Sequence, residues 1–189
     1  LAQAEFERAH QLDPKDAQSL SLLARSQLQN KDTAAGIKSL EISLQQDSKQ
    51  PDERHLLAQS YASAGKWSQA YDQFALYNAM VPKDEGAIYE WAAAASHLKQ
   101  PSRELAVWQR LAAAAPRNPL PHVQSGLILQ TSGQKAAALK EFQQALRLAR
   151  AGPDALLNVA TLESSLGQNE KAMAHWQQLV EAQPRAAQN

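Results

Sequence analysis

Two rulers of a single length run through the sequence. Pro14, Pro82, Pro116 and Pro184 are spaced by 68, 34 and 68 residues, all multiples of 34. Gly65, Gly133 and Gly167 repeat the interval in steps of 68 and 34. Eight places before each of those prolines stands an aromatic residue: Phe6, Phe74, Trp108 and Trp176. Phe142 keeps the frame where Arg150 replaces the proline, and Ala2, Ala70, Ala138 and Ala172 sit four places before their aromatics. A fixed period of this size marks a chain built by stacking copies of one supersecondary unit, because each copy must bury its apolar face against the next. The chain has 189 residues with only 7 Gly and 9 Pro, and it is rich in Ala, Leu and Gln. That composition makes the unit helical.

Each recurring residue has a mechanical role. A small side chain at Gly126 or Ala160 lets the first helix of a unit approach its partner closely. Ala70, Ala138 and Ala172 do the same on the second helix, and the aromatic one turn later fills the space beyond. The recurring glycines stand at the turn, where a positive φ is inexpensive only for glycine. Proline after the second helix cannot continue it and redirects the chain.

This pattern resembles the tetratricopeptide repeat (TPR) family, whose units are 34-residue antiparallel helix pairs. The second unit carries it most fully, with Leu57, Ala58, Tyr61, Gly65, Ala70, Phe74 and Pro82. The fourth has Gly126, Gly133, Ala138, Phe142 and Ala145, and the fifth Ala160, Gly167, Ala172, Trp176 and Pro184. The resemblance implies an all-α fold, a right-handed α-solenoid of antiparallel helix pairs. A single array over residues 1–189 is expected, with a half-repeat at 1–16 and repeats at 17–50, 51–84, 85–118, 119–152 and 153–186. Opening without Met, the chain reads as a segment of a longer protein.

Departures from the pattern carry their own expectations. The first unit has Gly36, Leu40, Ser43 and Ser48 where small, aromatic, small and proline are usual, which makes its second helix the weakest. Gly36 within that helix should cost roughly 1 kcal/mol relative to Ala. Glu104 replaces the small residue of the third unit, and Pro101 opens that helix. Arg54 and His122 replace a large apolar residue on their first helices, which should therefore pack more loosely or keep those side chains at an edge.

Chemistry is sparse. Lys plus Arg and Asp plus Glu both number 19, so the excess positive charge that draws nucleic acid or anionic membranes is missing. Cysteine is absent, which removes disulfides, thiolate metal sites and cysteine nucleophiles. No apolar run approaches the roughly 18–20 residues that cross a bilayer, so no membrane insertion of this segment is expected. His10, His55, His97, His122 and His175 show no metal-binding spacing. His55 and His97 should both face the inner groove, too far apart to share a metal. There is no P-loop, GxGxxG or GxSxG. Trp108 and Trp176 occupy the packing aromatic site, Trp91 lies on an inter-helix face and Trp67 near a turn. Asp84 and Glu85 sit where an acidic side chain caps a helix start. No catalytic residue, metal or cofactor is expected, and the chain does not read as an enzyme.

In the TPR family, partner segments usually lie along the concave surface of the first helices, so the resemblance implies a binding groove there. Helical spacing places Leu22 and Arg25 on it in the first unit, Leu56 and Gln59 in the second, and Tyr89 and Glu90 in the third. Val123, Gln124 and Leu127 follow in the fourth, with Leu157 and Asn158 in the fifth. Family members that clamp a C-terminal carboxylate use Lys, Asn and Arg at set positions. Here only Asn158 matches, so a carboxylate clamp is not expected. A protein or peptide partner with aliphatic anchors fits this surface better. Direct carbohydrate binding would have to rest on Tyr89 and Trp67.

The unpaired ends, Ala2, Phe6, Ala9 and Leu12 at one and Met173, Leu179 and Val180 at the other, imply neighbouring repeats in a parent protein or self-association. The expected role is a non-catalytic protein-binding scaffold, with the TPR regions of exported bacterial envelope-assembly proteins as the nearest flavour. A periplasmic location follows from that likeness, with the cytoplasm as the alternative. A recruiting arm of an enzyme such as a glycosyltransferase is the rival role.

Overall fold

The computed structural model describes residues 16–149 and 153–182. The expected helix over Leu1–Asp13, with Phe6 and Pro14, lies outside the described residues, as do Arg150 and Pro184. Ten helices follow one another: α1 (Ala17–Gln29), α2 (Thr33–Gln46), α3 (Pro51–Ser63), α4 (Trp67–Met80), α5 (Glu85–His97), α6 (Pro101–Ala114), α7 (Leu120–Thr131), α8 (Lys135–Ala149), α9 (Pro153–Ser165) and α10 (Asn169–Ala182). No strand occurs among the described residues. The architecture is the all-α array of helix pairs that the 34-residue period demands. α2, the helix with the weakest signature, forms in full.

Local chemistry sets the helix starts. Asp16 accepts hydrogen bonds from the Gln18 and Ser19 backbone N–H groups, both at 3.1 Å, and Asp32 and Asp84 do the same for Ala35 and Ala87 at 3.0 Å. Such caps satisfy donors that the first helical turn leaves open. Pro51 and Pro101 open α3 and α6 in the first turn, where a missing N–H costs nothing.

The turns between paired helices fall at residues 31, 65, 99, 133 and 167, one period apart. Gly65, Gly133 and Gly167 have φ of 72°, 76° and 75° there, as their spacing predicts. The other two positions are Lys31 and Lys99, with φ of 64° and 53°. The left-handed conformation is thus imposed by the period, whatever side chain the position carries.

The chain divides into two compact units, Leu1–Lys99 and Gln100–Asn189, and the boundary falls in a turn within a repeat. Unit 1 holds α1–α5 and unit 2 holds α6–α10; within each, successive helices pack on one another. In both, the small residue of the first helix is buried: Ala24, Ala58 and Ala92 in unit 1, Gly126 and Ala160 in unit 2. The facing side chains Leu40, Phe74 and Phe142 are also buried. A Cβ at Gly126 would stand 2.8 Å from the Phe142 ring.

Packing refines several expectations. A Cβ at Gly36 would lie 2.6 Å from Leu28 Cδ2, so a larger residue there needs that side chain to move. Arg54 and His122 are half-buried, and each finds a partner on the second helix of its own pair. Arg54 Nη1 donates to Gln73 Oε1 at 2.9 Å, and His122 Nδ1 lies 2.7 Å from Glu141 Oε2. Trp176, expected in the core, is 39% exposed.

Candidate functional site

The residues expected to line the groove fall on both units. In unit 1 the open face of the first helices is polar and cross-linked. Glu53, at the start of α3, accepts from Ser21 Oγ at 2.6 Å and from Arg25 Nη2 at 3.1 Å, joining α3 to α1. Burial pushes the Glu53 carboxyl up, but the Ser21 hydroxyl and the Arg25 guanidinium outweigh it and hold the group below its ordinary value. Glu90 on α5 repeats the device one unit on. Gln59 Nε2 donates to both of its oxygens, at 2.9 and 3.1 Å, and His55 Nε2 lies 2.6 Å from Oε2.

Behind this face, His55 stacks on Tyr77 with ring centroids 4.6 Å apart. The Tyr77 hydroxyl donates to Asp84 Oδ2 at 2.7 Å. Burial, and then that carboxylate, push the Tyr77 hydroxyl up to about 12. Asp84 is held low by the Ala87 N–H it caps and by Tyr77. Leu22 is 41% exposed, while Leu56 and Tyr89 are half-buried. Leu22 and Arg25 border a cavity of about 500 Å³ that Asp16, Asp47 and Glu53 also line.

His97 does not join His55 in this face. It stacks on Trp67 at 3.8 Å between ring centroids with the planes 7° apart. One face of Trp67 is thereby taken, which leaves it poorly placed as a carbohydrate platform. Trp91 is buried as expected, its ring 5.4 Å from that of Tyr71.

Unit 2 presents a different surface. Leu120 and Leu127 on α7 and Leu157 on α9 are 37%, 38% and 45% exposed. Val123 is half-buried against the cluster of Leu129, Leu139, Phe142, Val159 and Leu162. Gln124 and Asn158 are half-buried beside these side chains in sequence. Two carboxylates of this unit sit within the helix pairs instead. Glu141 meets His122, and Glu163, fully buried, lies 2.7 Å from His175 Nδ1 with Gln143 Nε2 at 3.5 Å. At the α9–α10 end, Pro153, Asp154, Leu157, Trp176, Leu179 and Val180 line a cavity of about 310 Å³.

Glu53 and the Glu163–His175 pair were not singled out by sequence reasoning. A signal for the first existed: Ser21 and Arg25 lie 32 and 28 residues before Glu53, close to one period, so they face it from the neighbouring first helix. Among the described residues, no group of three or more His, Asp or Glu side chains is placed to hold a metal ion. None of their helices is long and apolar enough to cross a membrane.

Stacked helix pairs, turns at one fixed interval and a small-residue seam facing an aromatic define a helical-repeat protein. A family model described as anaphase-promoting complex, cyclosome, subunit 3 matches residues 2–75, and one described as tetratricopeptide repeat matches residues 122–151. The fold and the match at residues 122–151 are those of the tetratricopeptide repeat. No curated protein matches it in sequence. Among solved structures it is similar to MamA, with a TM-score of 0.64 and 13% identity over 90% of this chain and 93% of that one. It is also similar to YrrB, described as a TPR protein with an unusual peptide-binding site, at 0.63 and 19% over 96% and 93%. A chain in the structure of Naa15/Naa10 bound to HypK-THB gives 0.73 and 15% identity over 90% of this chain but only 27% of that one. At these identities the likeness is one of fold.

Proposed function

We propose that the chain is a protein-binding scaffold whose partner lies on the open face of the first helices, anchored on the leucines of unit 2. The observation that carries this reading is the exposure of Leu120, Leu127 and Leu157. Leu120 and Leu127 are seven residues apart and so share one side of α7, with roughly 10 Å of helical rise between them. Exposed aliphatics flanked in sequence by amides suit a partner helix or extended segment that inserts apolar side chains and hydrogen-bonds at its edges. Within unit 2, Val123, Gln124 and Asn158 would supply the accompanying half-buried contacts, while Leu22, Arg25, Leu56, Gln59, Tyr89 and Glu90 are the groove candidates of unit 1. The fold supports this use, as does the peptide-binding site ascribed to YrrB. For the compartment we propose the periplasm, within an envelope assembly, on the Gln-rich, cysteine-free, charge-balanced composition alone.

Partner capture from native extract tests the reading. Leu127→Glu should abolish capture, and Tyr89→Ala asks whether the face of unit 1 takes part as well, with helicity by circular dichroism unchanged in both. Capture that survives both substitutions moves the binding surface elsewhere.

A further inference from the structure

Of the five turns that fall one period apart, one is built differently. At four of them the residue after the left-handed position donates its N–H to the carbonyl five places back. Asp32 donates to Gln27, Lys66 to Tyr61 and Gln134 to Leu129 at 2.9 Å, and Gln168 to Glu163 at 2.8 Å. That bond locks the end of the first helix onto its turn. Among the backbone hydrogen bonds of the described residues it is not made at the turn after α5. The Ala95 carbonyl, which stands at the accepting position, takes the N–H of Leu98 at 3.1 Å. The bond that closes the left-handed residue is also longer there. It measures 3.3 Å from Lys99 N to the Ser96 carbonyl, against 3.0 Å at residues 31, 65, 133 and 167. A lysine at the left-handed position is not the cause, because the turn at Lys31 has the lock.

The helix that follows departs from the pattern as well. Glu104 is half-buried at the position where Ala70, Ala138 and Ala172 are buried, and Trp108 is half-buried where Phe74 and Phe142 are buried. Each helix of this repeat is anchored in its own unit: α5 packs on α4 in unit 1, and Leu105 of α6 packs on the Leu129, Leu139 and Phe142 cluster of unit 2. We propose that residues 98–103 form a hinge, which opens as a local step while the helices on either side stay folded. Hinges are a few residues at the ends of elements that absorb a change in backbone angles. Here the last turn of α5 has given up the bond that fixes its end elsewhere. The first turn of α6 carries a carboxylate where a methyl group closes the other pairs. Segments with few buried apolar contacts and weak backbone bonds open first in a folded protein.

Native-state hydrogen exchange of the whole chain tests this. The amides of Leu98, Lys99 and Glu104 are hydrogen-bonded, as are those of Ser132, Gly133 and Ala138 one period on. Corrected for their intrinsic rates, the first three should exchange at least about tenfold faster than the second three. Their rates should also be insensitive to urea below the unfolding transition, because a local opening exposes little surface. Lys99→Gly combined with Glu104→Ala supplies the residues that the other repeats carry, and it should slow the three amides at least about tenfold. Lys31→Gly, at a turn that already has the lock, should leave them unchanged. Equal protection at the two turns overturns the proposal. So does a urea dependence at Leu98 and Lys99 as steep as that of the buried core, or a double variant that exchanges like the parent.

Discussion

In unit 1 the carboxylates of the first helices stand on the open face and tie one first helix to the next, Glu53 to Ser21 and Arg25, Glu90 to His55 and Gln59. In unit 2, Glu141 and Glu163 are each held 2.7 Å from a histidine nitrogen within a helix pair, and the open face is left to leucines. The buried seam of small and aromatic residues is nevertheless common to both. The lesson is one of division of labour within a repeat. Positions that touch across helices are held to a narrow choice by sterics, whereas face positions are free to make one unit polar and the next aliphatic.

The energetic contrast should be large. His175→Val leaves the Glu163 carboxylate buried without its closest partner, which should cost roughly 3–5 kcal/mol. Adding Glu163→Leu should recover most of that, since Leu129 and Val107 are what the chain itself places at these frame positions. Arg25→Ala in unit 1 should cost no more than about 1 kcal/mol, because its ion pair with Glu53 is open to solvent on the arginine side. Urea denaturation of the three variants decides it. Equal losses for His175→Val and Arg25→Ala would erase the distinction between the units.

A second, smaller difference lies in how each unit closes its helix pairs. Gly126 faces Phe142, which is fully buried and has nowhere to go. Gly126→Ala should therefore lower stability by about 1–3 kcal/mol through overpacking. Gly36 faces the half-buried Leu28 side chain, which can swing aside. There the gain in helix propensity, about 1 kcal/mol for Ala over Gly, offsets the shift of Leu28. Thermal unfolding should place Gly36→Ala close to the parent, and a loss matching that of Gly126→Ala would mean both seams are equally rigid.

The period made the helix pairs, their starts and their turns legible, because each rests on local sterics repeated at a fixed step. Face positions followed from helical spacing alone. Glu53 escaped because it stands at the edge of its own helix face and acquires its role only from Ser21 and Arg25 on α1. Glu163 escaped because its burial depends on side chains from two other helices, His175 and Gln143. Trp176 shares a frame position with Phe142, yet it is exposed where Phe142 is buried, so the frame position alone does not fix burial. The pairing of Arg54 with Gln73 and of His122 with Glu141 was visible in retrospect, since both pairs are 19 residues apart. A polar intruder on the first helix is answered at one matching place on the second.

The smallest predicted effect concerns the turns, where the units also differ. Both lysines in the left-handed conformation, Lys31 and Lys99, belong to unit 1, while the turns of unit 2 at 133 and 167 are glycines. A side chain in that conformation costs roughly 1–2 kcal/mol, and glycine returns part of the relief as extra freedom in the unfolded chain. Lys31→Gly should then raise stability by up to about 1 kcal/mol, which for a chain of this size is a rise of about 2–4 °C in Tm. The reverse exchange, Gly133→Lys, should lower it by a similar amount, and combining the two should leave the midpoint near that of the parent. If Lys31→Gly lowered Tm instead, the Lys31 side chain would have to contribute more than its backbone costs, and the turn would be held by contacts of that side chain and not by the period.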